Sequence, residues 1–284
     1  MMPRHTHRFH QLDVFTTQAM RGNPLAVVHD ADSVSSDTMA AFARWTNLSE
    51  TTFLLPPTVP EADYRVRIFT PSAELPFAGH PTLGSCQAWL WAGGQPQRTD
   101  EVVQECGVGL VRIRRDGSRL AFAAPPLRRS GPLDGAYREA LRRALKVPAH
   151  EIVADQWVDN GPGWCALMLS SAERVLSLQP DMAALSSLQA KLGVIGLQPS
   201  GHDTLFEVRA FVPTLGVGED PVTGSLNAGL AQWLIGAGLA PDHYGVSQGT
   251  VLGRRGRVHV DRVGDTVWIG GEVAACIDGQ VVLP

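Results

Sequence analysis

The sequence predicts an α+β fold built in two halves, each a mostly antiparallel sheet wrapped around one long helix. Three observations predict it. Short motifs return in the same order at a near-constant offset, strands outnumber helices, and most turns between strands are too short for a parallel crossover.

The repeat is legible in four places. Val66-Arg67-Ile68-Phe69-Thr70-Pro71-Ser72 returns as Val208-Arg209-Ala210-Phe211-Val212-Pro213-Thr214, an offset of 208 − 66 = 142. Glu74-Leu75-Pro76-Phe77-Ala78-Gly79-His80 returns as Glu219-Asp220-Pro221-Val222-Thr223-Gly224-Ser225, an offset of 219 − 74 = 145. The three extra residues fit inside the Gly-rich stretch 215–218. Asp37-Thr38-Met39-Ala40-Ala41 matches Pro180-Asp181-Met182-Ala183-Ala184. Gly22-Asn23-Pro24 has a weaker echo in Asn160-Gly161-Pro162. The period is far longer than a solenoid repeat, so two domains of one topology are expected rather than an array.

In the first half, residues 9–15 alternate as a strand and 25–28 form a short β run. Helical spacing over 36–46, opened by Ser35 or Ser36 as a cap, predicts a helix. Strands follow at 51–55 and 64–70, the second ended by Pro71. A helix at 79–93 carries Pro81 near its first turn, where a missing N–H matters little. Strands at 101–105, 109–114 and 120–123 close the half. The second half repeats this order: a strand at 164–169, a helix at 182–192, a strand at 204–212 and a helix at 224–237. Strands at 246–251, 257–260 and 266–269 follow. The segment 125–132, with three prolines and two arginines, is the linker candidate. The domains are therefore taken as 1–126 and 127–284, with the last strand returning to the first half.

Composition excludes several classes of function. Apolar residues make up 44% and charged residues 18% of 284, enough for a sizeable core. The formal charge is −4, and the richest basic groups, at 112–115 and 254–257, sit beside turn signals, so nucleic acid is not an expected partner. Cys86, Cys106, Cys165 and Cys276 lie far apart without metal-ligand spacing, and read as buried, reduced thiols. No signal-like or membrane-length apolar stretch occurs, so a cytoplasmic protein without membrane contact is expected. Gly216-Val217-Gly218 lacks the context of a dinucleotide loop, no P-loop occurs, and Ser225 is not in a nucleophile elbow. Trp89, Trp91 and Trp233 fall within predicted helices and read as core.

The repeated Glu-x-Pro-x-x-Gly-(His/Ser) element lies between a strand end and a helix start. There the first N–H groups have no internal partner, and the macrodipole leaves about half a positive charge. Either turn alone is an ordinary strand–helix connection. As a pair facing one cleft, they could bind a carboxylate without a metal or an arginine. His80 follows Gly79 at the first start, where a neutral imidazole is favoured. From spacing alone Glu50 is a solvated carboxylate at a strand start. Asp220 is more suggestive, because it occupies the repeat position held by Leu75 in the other half.

Taken together, Asn47-Leu48-Ser49-Glu50-Thr51-Thr52-Phe53, Ile68-Phe69-Thr70-Pro71 and Glu74 through Gly84 resemble the PhzF family of phenazine-biosynthesis-like proteins. Gly218-Glu219-Asp220-Pro221-Val222-Thr223-Gly224-Ser225, Gly22-Asn23-Pro24-Leu25-Ala26-Val27-Val28 and Ser247-Gln248-Gly249 do so too. The resemblance implies a diaminopimelate-epimerase-like fold: α+β, with two pseudo-symmetric halves, each a barrel-like sheet around a central helix. It implies a homodimeric isomerase, of the trans-2,3-dihydro-3-hydroxyanthranilate type, that needs no metal or organic cofactor and acts on a small carboxylate-bearing substrate. Glu50 would then be the general acid/base, with His80 and Asp220 polarising the substrate and Gly79, Gly224 and Ser225 binding it. The sister racemases use a cysteine at each helix start, and neither Phe77-Ala78-Gly79-His80 nor Pro221-Val222-Thr223-Gly224 contains one, which disfavours a two-thiol racemase. The alternative is a non-catalytic small-anion binding or regulatory protein on the same scaffold.

Overall fold

A computed structural model of the chain describes residues 5–215 and 218–284 and shows a mixed α/β fold with a large sheet and six helices. The chain divides into two compact units. Unit 1 runs up to Ala123 and resumes at Gly270, and unit 2 is Ala124–Ile269. The stretch 215–218, expected to absorb the offset difference, and the Gly216-Val217-Gly218 run contain residues 216 and 217, which lie outside the described residues.

Unit 1 begins with β1 (His5–Val14), β2 (Asn23–Val28), α1 (Ser36–Thr46), β3 (Glu50–Leu55), β4 (Tyr64–Phe69) and β5 (Glu74–Leu75). It continues with α2 (Gly79–Trp91), β6 (Glu101–Cys106), β7 (Gly109–Asp116) and β8 (Arg119–Ala123). Unit 2 contains α3 (Gly135–Leu145), β9 (Ile152–Trp157), β10 (Cys165–Leu169), α4 (Ala172–Leu176), α5 (Met182–Ser187) and β11 (Leu192–Leu197). Then come β12 (Phe206–Phe211), β13 (Glu219–Asp220), α6 (Gly224–Gly236), β14 (His243–Gln248), β15 (Gly256–Val263) and β16 (Thr266–Gly271), whose last two residues fall in unit 1. The last strand, β17 (Val273–Leu283), belongs to unit 1 and runs antiparallel along β1 from Val14↔Val273 to His5↔Leu283.

The same order of pairings occurs in both units. In unit 1, β2–β3 and β4–β6 are parallel, while β1–β2, β3–β4, β4–β5 and β6–β7 are antiparallel. In unit 2, β10–β11 and β12–β14 are parallel, while β9–β10, β11–β12, β12–β13 and β14–β15 are antiparallel. Each parallel pair is bridged by helix, as a crossover requires. Antiparallel pairing therefore predominates, but the parallel crossovers are what bring the helices onto the sheet.

Local sequence accounts for the helices. Ser35 caps α1, its Oγ accepting the Thr38 N–H at 3.2 Å, and Asn47 ends it in a left-handed conformation that asparagine tolerates. Its inner face, Met39, Phe42 and Ala43, joins Val28, Phe53 and Phe69 in one core cluster. The helices α2 and α6 have no polar stripe and are buried over most of their lengths, as central helices must be. Each carries a glycine where the sheet comes close. A Cβ on Gly84 would meet the Leu25 side chain at 2.5 Å, and one on Gly229 would meet the Val158 carbonyl oxygen at 2.2 Å.

Several sequence expectations need correction. The helix expected at 182–192 ends at Ser187, and Leu192 opens β11. Gln189 at φ 53° breaks the helical path, and β11, an interior strand between β10 and β12, is buried at every residue from Leu192 to Gly196, which accounts for its apolar run without alternation. No element was expected at α3, β9 or α4. Cys86 and Cys165 are buried as expected, but Cys106 is only half-buried and Cys276 is exposed. Trp91 is 38% exposed and is not core. No helix among the described residues is long and apolar enough to cross a membrane.

Candidate functional site

The start of α2 is set by a short pinned turn. Arg67 on β4 grips Glu74 on β5 with two parallel hydrogen bonds, 2.8 and 2.7 Å, holding the carboxyl below its ordinary pKa. The glutamate of the repeated element is therefore a structural anchor. From there the chain enters α2 at Ala78, where no side chain caps the helix. Thr82 Oγ1 donates back to the Ala78 carbonyl at 2.9 Å. Gln104 on β6 donates to Thr82 Oγ1 at 3.1 Å and accepts from the Tyr64 hydroxyl at 2.8 Å.

His80 is buried in this first turn, and Glu50, at the start of β3, reaches it. His80 Nε2 lies 3.3 Å from Glu50 Oε2, and the Glu50 side chain keeps 16% of its exposure. From spacing Glu50 read as a solvated carboxylate, whereas the fold turns it inward. Burial pushes the imidazole down to about 3, against a smaller opposing pull from a hydrogen bond with the Pro24 backbone. The positive end of α2 acts in the same direction as burial. Although the distance is that of an ion pair, a neutral ring touching a carboxyl group is the better description. Asn23 Nδ2 lies 3.4 Å from His80 Nδ1, and the Ser49 hydroxyl donates to Asn23 Oδ1 at 3.4 Å.

Unit 2 builds the start of α6 by the same steps. Arg209 on β12 grips Glu219 on β13 at 2.9 and 2.7 Å. This pair is more deeply buried, with side chains 5% and 9% exposed against 26% and 43% for Arg67 and Glu74. Asp220 pairs with Ala210 as Leu75 pairs with Ile68, so the acid and the leucine occupy one position of the repeated register. Again no side chain caps the helix, and Asn227 donates to the Thr223 carbonyl at 2.9 Å as Thr82 does to Ala78. Thr223 Oγ1 donates to Asp220 Oδ2 at 2.5 Å. Ser225 accepts from Trp164 Nε1 at its hydroxyl (2.9 Å) and from Asn160 Nδ2 at its carbonyl (2.8 Å).

Among the predicted site residues, Glu50, Gly79 and His80 thus share the α2 start, and Asp220, Gly224 and Ser225 share the α6 start. A helix start without a side-chain cap suits an anion, and a carboxyl group against a neutral imidazole suits proton transfer. Among the described residues no group of three or more His, Cys, Asp or Glu is arranged to hold a metal. Sequence reasoning passed over Asn23, Gln104, Trp164, Asn227 and Gln248. The two glutamines carried a signal, since 248 − 104 = 144 matches the repeat offset.

A family model described as phenazine biosynthesis-like protein matches residues 12–279. Antisense-enhancing sequence 1 of Schizosaccharomyces pombe is 37% identical over 96% of this chain and 98% of its own. The trans-2,3-dihydro-3-hydroxyanthranilate isomerase of Pseudomonas aeruginosa is 33% identical over 98% of this chain and 100% of its own. A crystal structure of a PhzF-family phenazine biosynthesis protein from Bacillus anthracis has the same fold, with TM-score 0.84, 21% identity and coverage of 98% and 99%. Isomerases among such relatives support an isomerase acting on a small molecule.

Proposed function

This chain belongs to the phenazine biosynthesis-like family, and from that premise we propose that it is an isomerase moving a proton on a small carboxylate-bearing substrate, of the trans-2,3-dihydro-3-hydroxyanthranilate isomerase type. The observation that carries the proposal is the contact between Glu50 and a buried, neutral His80 at an uncapped helix start. Glu50 is the general acid/base. Its partly enclosed carboxyl group is suited to take a proton from one carbon and return it to another. His80 and Asp220 polarise the substrate and help carry its proton.

In this reading the uncapped helix starts serve to bind the substrate. The N–H groups of Gly79 and Gly224 hold its carboxylate and stabilise developing negative charge. Ser225 adds a donor, because its oxygen already accepts from Trp164 and its own proton is free to point at a ligand. The reaction requires neither metal nor organic cofactor, and the enzyme works as a cytoplasmic homodimer.

The test is turnover of trans-2,3-dihydro-3-hydroxyanthranilate in heavy water. Glu50→Gln should lower kcat about 1,000-fold with substrate binding retained. Unchanged turnover in Glu50→Gln rejects its role. Calorimetric binding of small carboxylates by a wild-type protein that turns over none of them would favour the anion-binding alternative.

A further inference from the structure

Around the start of α6 the hydrogen positions can be worked out donor by donor. Gln248 is 1% exposed. Its Oε1 faces the Thr223 backbone N–H at 3.0 Å and the Asn227 amide at 2.8 Å. A backbone N–H can only donate, and Asn227 Nδ2 is itself fixed as donor by the Thr223 carbonyl, so the Gln248 amide cannot be flipped. Its Nε2 must therefore donate, and it does so to the Asp220 carbonyl at 3.1 Å and to Thr223 Oγ1 at 2.9 Å. Since Thr223 Oγ1 accepts from Gln248, its single proton is left for Asp220 Oδ2, 2.5 Å away.

We propose that Gln248 is a positioning residue which, through the Thr223 hydroxyl, fixes the orientation of the Asp220 carboxylate. Its importance for turnover rests on the isomerase reading above, whereas the geometry does not. Unit 1 serves as an internal control. Gln104 occupies the matching place, but the residue matching Thr223 is Ala78, which has no hydroxyl, the residue matching Asp220 is Leu75, and Gln104 donates instead to Thr82, the counterpart of Asn227. The hydroxyl that links the glutamine to the acid is present only where the repeat carries an acid.

The experiment compares Thr223→Val, Thr223→Ser and Gln248→Met by crystallography and by kinetics on trans-2,3-dihydro-3-hydroxyanthranilate. In Thr223→Val and Gln248→Met the Asp220 carboxylate should rotate or split between conformers. kcat should fall about 10- to 100-fold while KM stays within about threefold. Thr223→Ser should restore both position and rate, and the double variant should be no worse than Thr223→Val alone, as expected for residues acting in series. An unmoved carboxylate in Thr223→Val, or a Thr223→Ser variant as impaired as Thr223→Val, overturns the proposal. Should Gln248→Met fail to fold, the threonine pair decides alone. If wild-type protein does not turn the compound over, the isomerase reading fails while the Asp220 conformation still decides the positioning role.

Discussion

The starts of α2 and α6 share a framework and differ in the groups placed on it. Both have an Arg–Glu fork pinning the turn, an uncapped first turn, a side chain in the fourth helical position tied to the carbonyl before it, and a glutamine holding that side chain. What differs is a few side chains: Leu75 against Asp220, His80 against Ser225, Thr82 against Asn227. At α2 an acid meets a buried neutral imidazole, and at α6 an acid is set in a network of hydrogen bonds. A scaffold of obligatory backbone and anchor contacts is fixed, and the few positions that project from it are free to acquire different chemistry.

Matched substitutions in the two units can break or sharpen that comparison. The largest difference should come from the two helix glycines. Gly229→Ala sets a methyl group 2.2 Å from a backbone carbonyl, whereas Gly84→Ala meets the end of a leucine side chain at 2.5 Å. Denaturant melts should show a loss of about 3 kcal/mol for Gly229→Ala and roughly half that for Gly84→Ala.

Next comes acid. Burial holds His80 down to about 3, His29 down to about 4, and His10 below its ordinary value, and all three belong to unit 1. Each binds its proton more weakly folded than unfolded, so stability is complete above the unfolded value near 6.5 and drains away as pH falls toward the folded values. At pH 5 His80 alone should cost about 2 kcal/mol relative to pH 8. Hydrogen exchange should report unit 1 opening before unit 2 on acidification. Equal loss of protection in both units would contradict this.

Removing the unit 1 glutamine should affect stability and spare the rate. Gln104→Leu strands the buried Tyr64 hydroxyl and should cost about 1–2 kcal/mol with turnover near wild type, in contrast to Gln248→Met. The smallest effect belongs to the caps, Ser35 on α1 and Asp181 on α5, each of which accepts one helix N–H. Replacement of either by alanine should cost about 1 kcal/mol, read from thermal melts.

Legibility followed the physics of each element. The bounds 36–46 of α1 could be read directly because cap and periodicity agree. Strand β11 could not, because Leu192-Gly193-Val194-Ile195-Gly196 is buried at every residue and lacks alternation. The repeat shows a glutamate at Glu74 and Glu219 but not its partner: both are held by arginines on the preceding strands, contacts that depend on the β4–β5 and β12–β13 hairpins. Asp220 stood out as an odd residue in a repeat. The proximity of Glu50 to His80 had no local signature, since thirty residues separate them and the contact arises only when β3 lies beside the first turn of α2.

Strand β17 gives the chain an asymmetric birth. Unit 2 is one uninterrupted segment and can consolidate as it leaves the ribosome, whereas unit 1 must wait for Val273–Leu283 to emerge. Until then ten residues of β1 present an unpaired ladder along one side, the kind of edge that recruits a foreign strand. Synthesis of the intervening unit therefore sets how long the nascent chain stays exposed to mispairing.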